Sequence, residues 1–105
     1  MGEADLIGAL TQHGFSLNES RAYTALLSSG PSTGYEVGQR AQIPRSAVYG
    51  ALRRLVSAGA ARSIPGQPER FVAVPADALL SLLRDRFEAS AKQLEAAVHS
   101  LDTEP

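Results

Sequence analysis

The chain has 105 residues and a formal net charge of −1, a length that suits one compact domain with one additional long helix. Its hydrophobic fraction of 44% excludes a disordered chain, and the absence of cysteine excludes disulfides, thiolate metal sites and cysteine nucleophiles. No apolar run approaches the roughly 18 residues that span a bilayer, and the acidic N-terminus differs from a signal peptide, which together predict a cytoplasmic protein with no membrane partner.

Two helices are predicted in the N-terminal third. The first runs from Asp5 to His13 and closes at Gly14, where a left-handed residue usually ends a helix. The second starts at a capping box, with Ser16 as N-cap and Glu19 three residues later, and stops at Gly30.

A second capping box, Thr33 with Glu36, opens a short helix over residues 33–41, and a tight turn at 42–44 follows it. Pro44 suits the first position of the next helix, predicted over 44–58, because it has no N–H to lose there. Projected at about 100° per residue, that helix has one apolar side and one polar side. The apolar residues are Val48, Leu52, Leu55 and Val56, and the opposite residues are Ser46, Gly50, Arg53 and Ser57, flanked by Tyr49 and Arg54.

Two strand-like runs, AARSI and ERFVAV, are joined by the turn sequence PGQP at 65–68 and predict a β-hairpin. A single long helix follows Pro75. Its apolar residues recur every seven positions, which indicates packing against a partner helix or the body of another subunit. The predicted dimerisation residues are Leu80, Leu83, Phe87, Leu94, Val98 and Leu101.

This order of elements is typical of a winged helix-turn-helix, a mainly α fold with a small β-hairpin (α+β). The predicted domains are residues 1–75, which bind DNA, and residues 76–105, the C-terminal dimerisation helix. Helix 44–58 is then the recognition helix in the major groove, and the hairpin near 65–68 is the wing on the backbone or minor groove. Charge favours double-stranded DNA as the partner, since residues 31–70 hold six arginines against two glutamates while both flanking segments are net acidic.

The polar side of the recognition helix suits DNA chemically. An arginine forks onto guanine or holds phosphate, a serine bonds to either, and Gly50 leaves room for close approach. In the wing, Arg62 and Arg70 are candidates for phosphate contacts. The predicted DNA-binding residues are Thr33, Arg45, Ser46, Tyr49, Gly50, Arg53, Arg54, Arg62 and Arg70.

Four sequence patterns add a specific resemblance. They are G-h-S-x-x-E-x-x-x-Y-x-x-L-L from Gly14 to Leu27, the G-P-x-T that follows, I-P-R-S-x-V-Y-x-x-L-R-x-L in the recognition helix, and G-x-P-x-R-F-x-A-V-P at the wing. Together they resemble the N-terminal winged-helix domain of the TrmB family of transcriptional regulators. The resemblance implies sequence-specific, dimeric DNA binding, and carries that role to Arg45, Ser46, Tyr49 and Arg53.

The chain departs from that family in two places. Sugar-responsive members carry a large C-terminal effector domain, whereas this chain ends after one helix, so no small-molecule site is carried over. The wing is also only weakly basic, since Glu69 stands where such proteins commonly have a basic residue.

Plainer interpretations stand beside these. Arg53 and Arg54 could form an ordinary solvated face, Tyr49 could simply cover the core, and Arg45 could cap or pair with Glu36. The two histidines are predicted to lie on the surface, so we expect no metal, cofactor or catalytic site, and no enzyme. The alternative functions are a winged-helix protein-interaction module and a nucleoid-type DNA binder without sequence preference.

Overall fold

A computed structural model of the chain describes residues 2–103. It contains five helices and three strands within this range. Their order is α1 Glu3–Gln12, α2 Leu17–Ser29, β1 Ser32–Thr33, α3 Gly34–Ala41, α4 Arg45–Ser57, β2 Ala61–Ile64, β3 Arg70–Ala73 and α5 Ala76–Thr103. The mainly helical fold with a small β-sheet is confirmed.

The chain divides into two compact units, the first ending at Pro75 and the second formed by α5. The outer ends of the two predicted domains, Met1 and residues 104–105, lie outside the described residues. None of the helices described is long and apolar enough to cross a membrane.

Both predicted capping boxes are present. The Ser16 hydroxyl accepts from the Glu19 backbone N–H at 3.0 Å, and the Glu19 carboxylate accepts from the Ser16 N–H at 3.2 Å. Thr33 and Glu36 make the same reciprocal pair at 3.1 and 2.8 Å. Each pair satisfies N–H groups that the first turn of a helix leaves free, and so fixes where α2 and α3 begin.

The turn between α3 and α4 differs from the prediction by one residue. Gln42 adopts a left-handed conformation, with φ of 56°, and ends α3. Pro44 then has extended backbone as the N-cap of α4, and Arg45 is the first helical residue. Proline still suits this position, because it has no N–H group and the N–H groups at the start of a helix have no partner within the helix.

The sheet has three strands where the sequence predicted a hairpin. The strand order is β1-β3-β2, and both pairings are antiparallel. Ser32 of β1 lies opposite Phe71 of β3, and Thr33 lies opposite Arg70. A strand of two residues has no periodicity that could reveal it, and its pairing joins segments far apart in the chain.

The core of the first unit lies between α2, α4 and the sheet. On α4 the side chains of Val48, Leu52 and Leu55 are buried as projected, Ala51 is buried with them, and Val56 is half-buried. Tyr23 of α2 is also buried, and its hydroxyl donates to the Val74 carbonyl at 2.8 Å. The apolar side of α4 is therefore fixed in the core, which turns its polar side outward.

Gly34, the first residue of α3, makes a close contact that only glycine permits. A Cβ at this position would overlap the ring of Tyr49 on α4, whose Cε1 would be 2.6 Å away. By contrast, a Cβ on Gly50 would meet only Nη1 of Arg54, at 3.3 Å. The two glycines therefore have opposite surroundings, although both lie in the helix-turn-helix.

We expect Gly34→Ala to lower the free energy of unfolding by about 1–3 kcal/mol, because the Tyr49 ring must leave its packed position. The matched change Gly50→Ala should be neutral or stabilise by up to about 1 kcal/mol, since alanine is the better helix former. Urea denaturation followed by circular dichroism measures both. Equal effects at the two positions, or no reduction of the Gly34→Ala effect when Tyr49→Ala is added, would contradict this packing.

Candidate nucleic-acid interface

The outward side of α4 forms one continuous polar face. Its members are exposed and recur at helical spacing, while the inward side is buried. We call it the α4 face, and it consists of Arg45, Ser46, Tyr49, Gly50, Arg53, Arg54 and Ser57. Six of the nine DNA-binding residues predicted from the sequence are thus brought together on it.

Arg45 lies at the N-terminal end of the α4 face. Its guanidinium carbon is 5.8 Å from the ring centroid of Tyr35 on α3, within the range of a cation–π contact. Arg45 and Tyr35 border a cleft of about 410 Å³ between α3 and α4, which Tyr49 also lines. Within residues 2–103 Arg45 makes no ion pair, so the alternative pairing with Glu36 is not present.

Tyr49 covers part of the core and is also partly exposed to solvent. Its ring packs edge-on against Phe71 of β3, with centroids 6.4 Å apart and planes at 67°. The same ring lies against Gly34, yet 46% of the residue remains exposed. Its packing agrees with the plainer interpretation, and its exposure leaves nearly half of the residue accessible to a ligand.

Arg53 joins the α4 face to the wing. Its Nη1 and Nη2 donate to the two carboxylate oxygens of Glu69 at 2.9 and 2.7 Å, and its guanidinium carbon lies 5.3 Å from the Phe71 ring centroid. The Ser63 hydroxyl donates to the same carboxylate. Hydrogen bonds from Arg53 and then Ser63 lower the pKa of Glu69 to about 2, and the bonded carboxylate raises the pKa of Arg53.

Arg54, also on the α4 face, is paired with a residue of α2. Its Nε donates to Glu19 at 2.6 Å. Partial burial raises the pKa of Glu19, but hydrogen bonds from Arg54 and from Ser16 outweigh it, so this pKa lies below its ordinary value. Glu19 therefore caps α2 and holds α4 with one side chain.

The remaining predicted residues lie on the sheet. In the antiparallel register Arg62 lies opposite Val72, and Arg70 lies opposite both Ile64 and Thr33, so all of them project from one surface. Arg62 and Arg70 are exposed and make no hydrogen bond or ion pair with any residue in the described range. Hydrogen bonds from the backbone N–H and from the side chain of Thr33 lower the pKa of Glu36, and the charge of Arg70 lowers it further.

Sequence reasoning missed the two carboxylates that hold the arginines. Glu69 was interpreted only as a departure from a basic wing, and Glu19 only as a capping residue. Glu69 directly precedes β3 and lies two residues before Phe71, which is visible in the sequence, but the approach of α4 to the wing is not. No cluster of three metal-ligating side chains occurs among residues 2–103, and His13 and His99 are both exposed.

A helix-turn-helix with an exposed, arginine-bearing second helix and an adjoining antiparallel sheet defines a winged-helix DNA-binding domain. The family model described as "Sugar-specific transcriptional regulator TrmB" matches residues 10–77, which is more than half of the chain. The chain belongs to the TrmB family of DNA-binding transcriptional regulators. This membership confirms the resemblance seen in the sequence and the expectation that the chain is not an enzyme.

Individual relatives agree with this assignment. The chain is 35% identical over 91 residues to the uncharacterized protein YrhO of Bacillus subtilis, covering 87% of this chain and 33% of that one. It is 35% identical over 95 residues to the putative HTH-type transcriptional regulator TrmBL2 of Pyrococcus furiosus, covering 88% of this chain and 36% of that one. The chain thus spans about a third of the length of these curated relatives.

Solved structures show the same fold. The structure of TrmBL2, described as an archaeal chromatin protein with a novel mode of DNA binding, matches with a TM-score of 0.85 at 29% identity, covering 96% of this chain and 41% of that one. A MarR family regulator from Silicibacter pomeroyi matches with a TM-score of 0.60 at 18% identity, covering 94% of this chain and 74% of that one. At that lower identity the second match supports the winged-helix fold alone.

The Arg53–Glu69 pair should give stability a defined pH dependence. Because the folded-state pKa of Glu69 is about 2, against 4.5 for the free side chain, its stabilising contribution is complete above about pH 4.5 and is lost as pH falls towards 2. Glu69→Gln should therefore destabilise the protein by a constant amount from pH 7 to 5, and the difference from wild type should shrink below that. Urea denaturation at each pH measures it.

The matched control is Glu88→Gln on α5, since Glu88 is exposed and has no ion-pair partner among the described residues. Because its replacement removes no ion pair, Glu88→Gln should leave the free energy of unfolding at pH 7 unchanged. A Glu69→Gln effect that stays constant down to pH 2 would show that the charge of Glu69 is not what stabilises the wing.

Proposed function

We propose that the chain binds specific DNA sequences as a homodimer, with α4 in the major groove and the wing near residues 65–68 on the backbone or minor groove. The observation that carries the proposal is the α4 face, whose polar side chains point outward because the opposite side is buried. Membership of a family of DNA-binding regulators supports DNA as the partner. The cytoplasmic location stays a prediction of the sequence.

The dimensions and chemistry of α4 fit a major groove. A groove about 12 Å wide admits one α-helix, and the base edges there offer acceptors for arginine and serine. Arg45, Ser46 and Gly50 lie near the N-terminal half of the helix, the part that reads bases in many helix-turn-helix proteins. Gly50 has no Cβ, so the helix backbone can approach the bases closely at that point.

The sheet supplies groups suited to phosphate. Arg62 and Arg70 project from one surface of the wing and have no ion-pair partner within residues 2–103. Exposed guanidinium groups of this kind release counterions from DNA when they bind phosphate, so they add affinity on every sequence. Thr33 lies opposite Arg70 on the same surface, and its hydroxyl oxygen accepts a hydrogen bond within the capping box.

The apolar side chains of α5 support a dimer. Phe87, Leu94 and Leu101 are spaced by seven residues and are 75%, 67% and 72% exposed. Large apolar side chains repeated along one side of a 28-residue helix are typical of a surface that a partner covers. In a two-fold dimer the recognition helices would enter successive major grooves, about 34 Å apart, on a palindromic site.

A second candidate function is chromatin-type binding without sequence preference. It is favoured by the likeness to TrmBL2, described as an archaeal chromatin protein. It would use the same arginines on phosphate but show equal affinity for all duplexes. A protein-interaction module, the third reading of the fold, would show no DNA binding even at low salt.

Fluorescence anisotropy with two labelled duplexes tests the proposed roles. One duplex is selected by the wild-type protein from a random library, and the other is a scramble of it. Arg53→Ala should weaken binding to the selected duplex by about 5- to 150-fold, the loss of one bidentate base contact, and should relax base preference. Arg62→Ala should weaken both duplexes alike and reduce the salt slope by about 1.

The matched control is Arg21→Ala, which removes the same charge from α2, at a site that Arg21 shares with α1 and the end of α3. Arg21→Ala should change the base preference less than Arg53→Ala does, and the salt slope less than Arg62→Ala does. Equal effects of Arg53→Ala and Arg62→Ala on both duplexes would refute the division of roles. A selection that enriches no sequence, with tight binding throughout, would favour the chromatin-type function.

The dimer is tested by Phe87→Glu combined with Leu94→Glu. Two carboxylates on an apolar interface cannot be desolvated without a partner charge, so the variant should sediment as a monomer where wild type sediments as a dimer. The matched control, Ala89→Glu combined with Ala96→Glu, adds two carboxylates at exposed positions on the other side of α5 and should still sediment as a dimer. A wild-type protein that is monomeric at all concentrations in analytical ultracentrifugation would overturn the homodimer.

A further inference from the structure

Arg53 and Arg54 are both held by carboxylates from outside α4. Arg53 makes two hydrogen bonds, of 2.9 and 2.7 Å, with Glu69 of the wing, whereas Arg54 makes one with Glu19. The Glu69 carboxylate is held in turn by the Ser63 hydroxyl. In the free protein the charge of Arg53 is therefore already neutralised, although its side chain is 55% exposed at the proposed interface.

We infer that Glu69 competes with DNA for the guanidinium of Arg53, and so lowers the affinity with which the α4 face binds DNA; the inference rests on the proposed DNA binding by α4. Glu69 uses the two parallel N–H groups with which arginine forks onto a phosphate or onto O6 and N7 of guanine. The same N–H groups cannot serve both partners. Arg53 must leave Glu69 before it binds DNA in that geometry.

The exchange affects correct and incorrect sequences differently. Where a guanine lies in reach, its two acceptors replace the two oxygens of Glu69, and the carboxylate keeps the Ser63 hydroxyl. Where no such base is present, leaving Glu69 would give Arg53 only a screened phosphate contact. Arg53 therefore stays with Glu69. On the preferred site Glu69 costs the whole energy of its pair with Arg53, whereas on random DNA it costs only the weaker phosphate contact that Arg53 forgoes. Glu69 thereby lowers affinity for the preferred site at least as much as affinity for DNA of random sequence.

Four proteins test the competition: wild type, Glu69→Gln, Arg53→Ala and the double variant. The probe is a fluorescein-labelled 20-base-pair duplex of random sequence, titrated between 50 and 200 mM salt. Glu69→Gln should bind it more tightly than wild type, with a log–log salt slope steeper by about 0.9, the value for one phosphate contact. Its advantage should therefore shrink about threefold over that salt range.

The double variant distinguishes competition for Arg53 from a through-space effect of the Glu69 charge on DNA. Without Arg53, removing Glu69 should leave the slope unchanged, because no guanidinium is released. Asp5→Asn is the matched control: it removes a carboxylate from α1, which carries no predicted DNA-binding residue, while asparagine can still accept from the Gly2 N–H. On the duplex selected by wild type, the gain from Glu69→Gln should be at least as large as on the random duplex, because there the whole energy of the pair is recovered.

The outcomes are distinct. A slope that steepens equally with and without Arg53 would show a through-space charge effect, and weaker binding by Glu69→Gln would show that the pair merely orders the wing. Either result overturns the inference while DNA binding stands. If wild type and Glu69→Gln bind neither duplex at 50 mM salt, the proposed function itself fails and the inference fails with it.

Discussion

The rotation of α4 about its own axis is the constraint on which the proposed interface depends. Ala51, Leu52 and Leu55 have no accessible surface, and Val48 has 1%. Turning the helix by one residue, about 100°, would expose leucine side chains and force arginine or tyrosine towards the core. Each fully buried leucine contributes about 1.5–3 kcal/mol, and an unpaired buried arginine costs more. Burial on one side therefore determines which side chains the other side presents.

Phe71 extends this constraint to the wing. Its ring is fully buried, and two residues one turn apart on α4 lie against it, Tyr49 edge-on and Arg53 above the face. Its strand partner Ser32 belongs to β1, which leads directly into α3. The start of α3, the exposed side of α4 and the wing therefore share one packing centre, and a change there would move all three.

Local features of this fold were predictable from sequence, and long-range ones were not. The capping boxes at Ser16 and Thr33 and the two sides of α4 depend on residues within one or two helical turns, so spacing reveals them. The pairing of β1 and the bonds of Glu19 and Glu69 depend on segments 16 or more residues apart. A glutamate that looks misplaced in a basic wing has a partner that only the folded chain brings near.

The ion pairs of Arg53 and Arg54 reduce the positive charge that the sequence of residues 31–70 predicts for α4. Six arginines against two glutamates in residues 31–70 indicate a nucleic-acid partner, but Glu69 neutralises Arg53 within that segment and Glu19 neutralises Arg54 from outside it. The field around α4 is therefore weaker than the count of arginines implies. A weak field reduces the phosphate contribution, which is the same on every sequence. In the proposed complex, base contacts would then carry a larger share of the affinity than the count of arginines suggests.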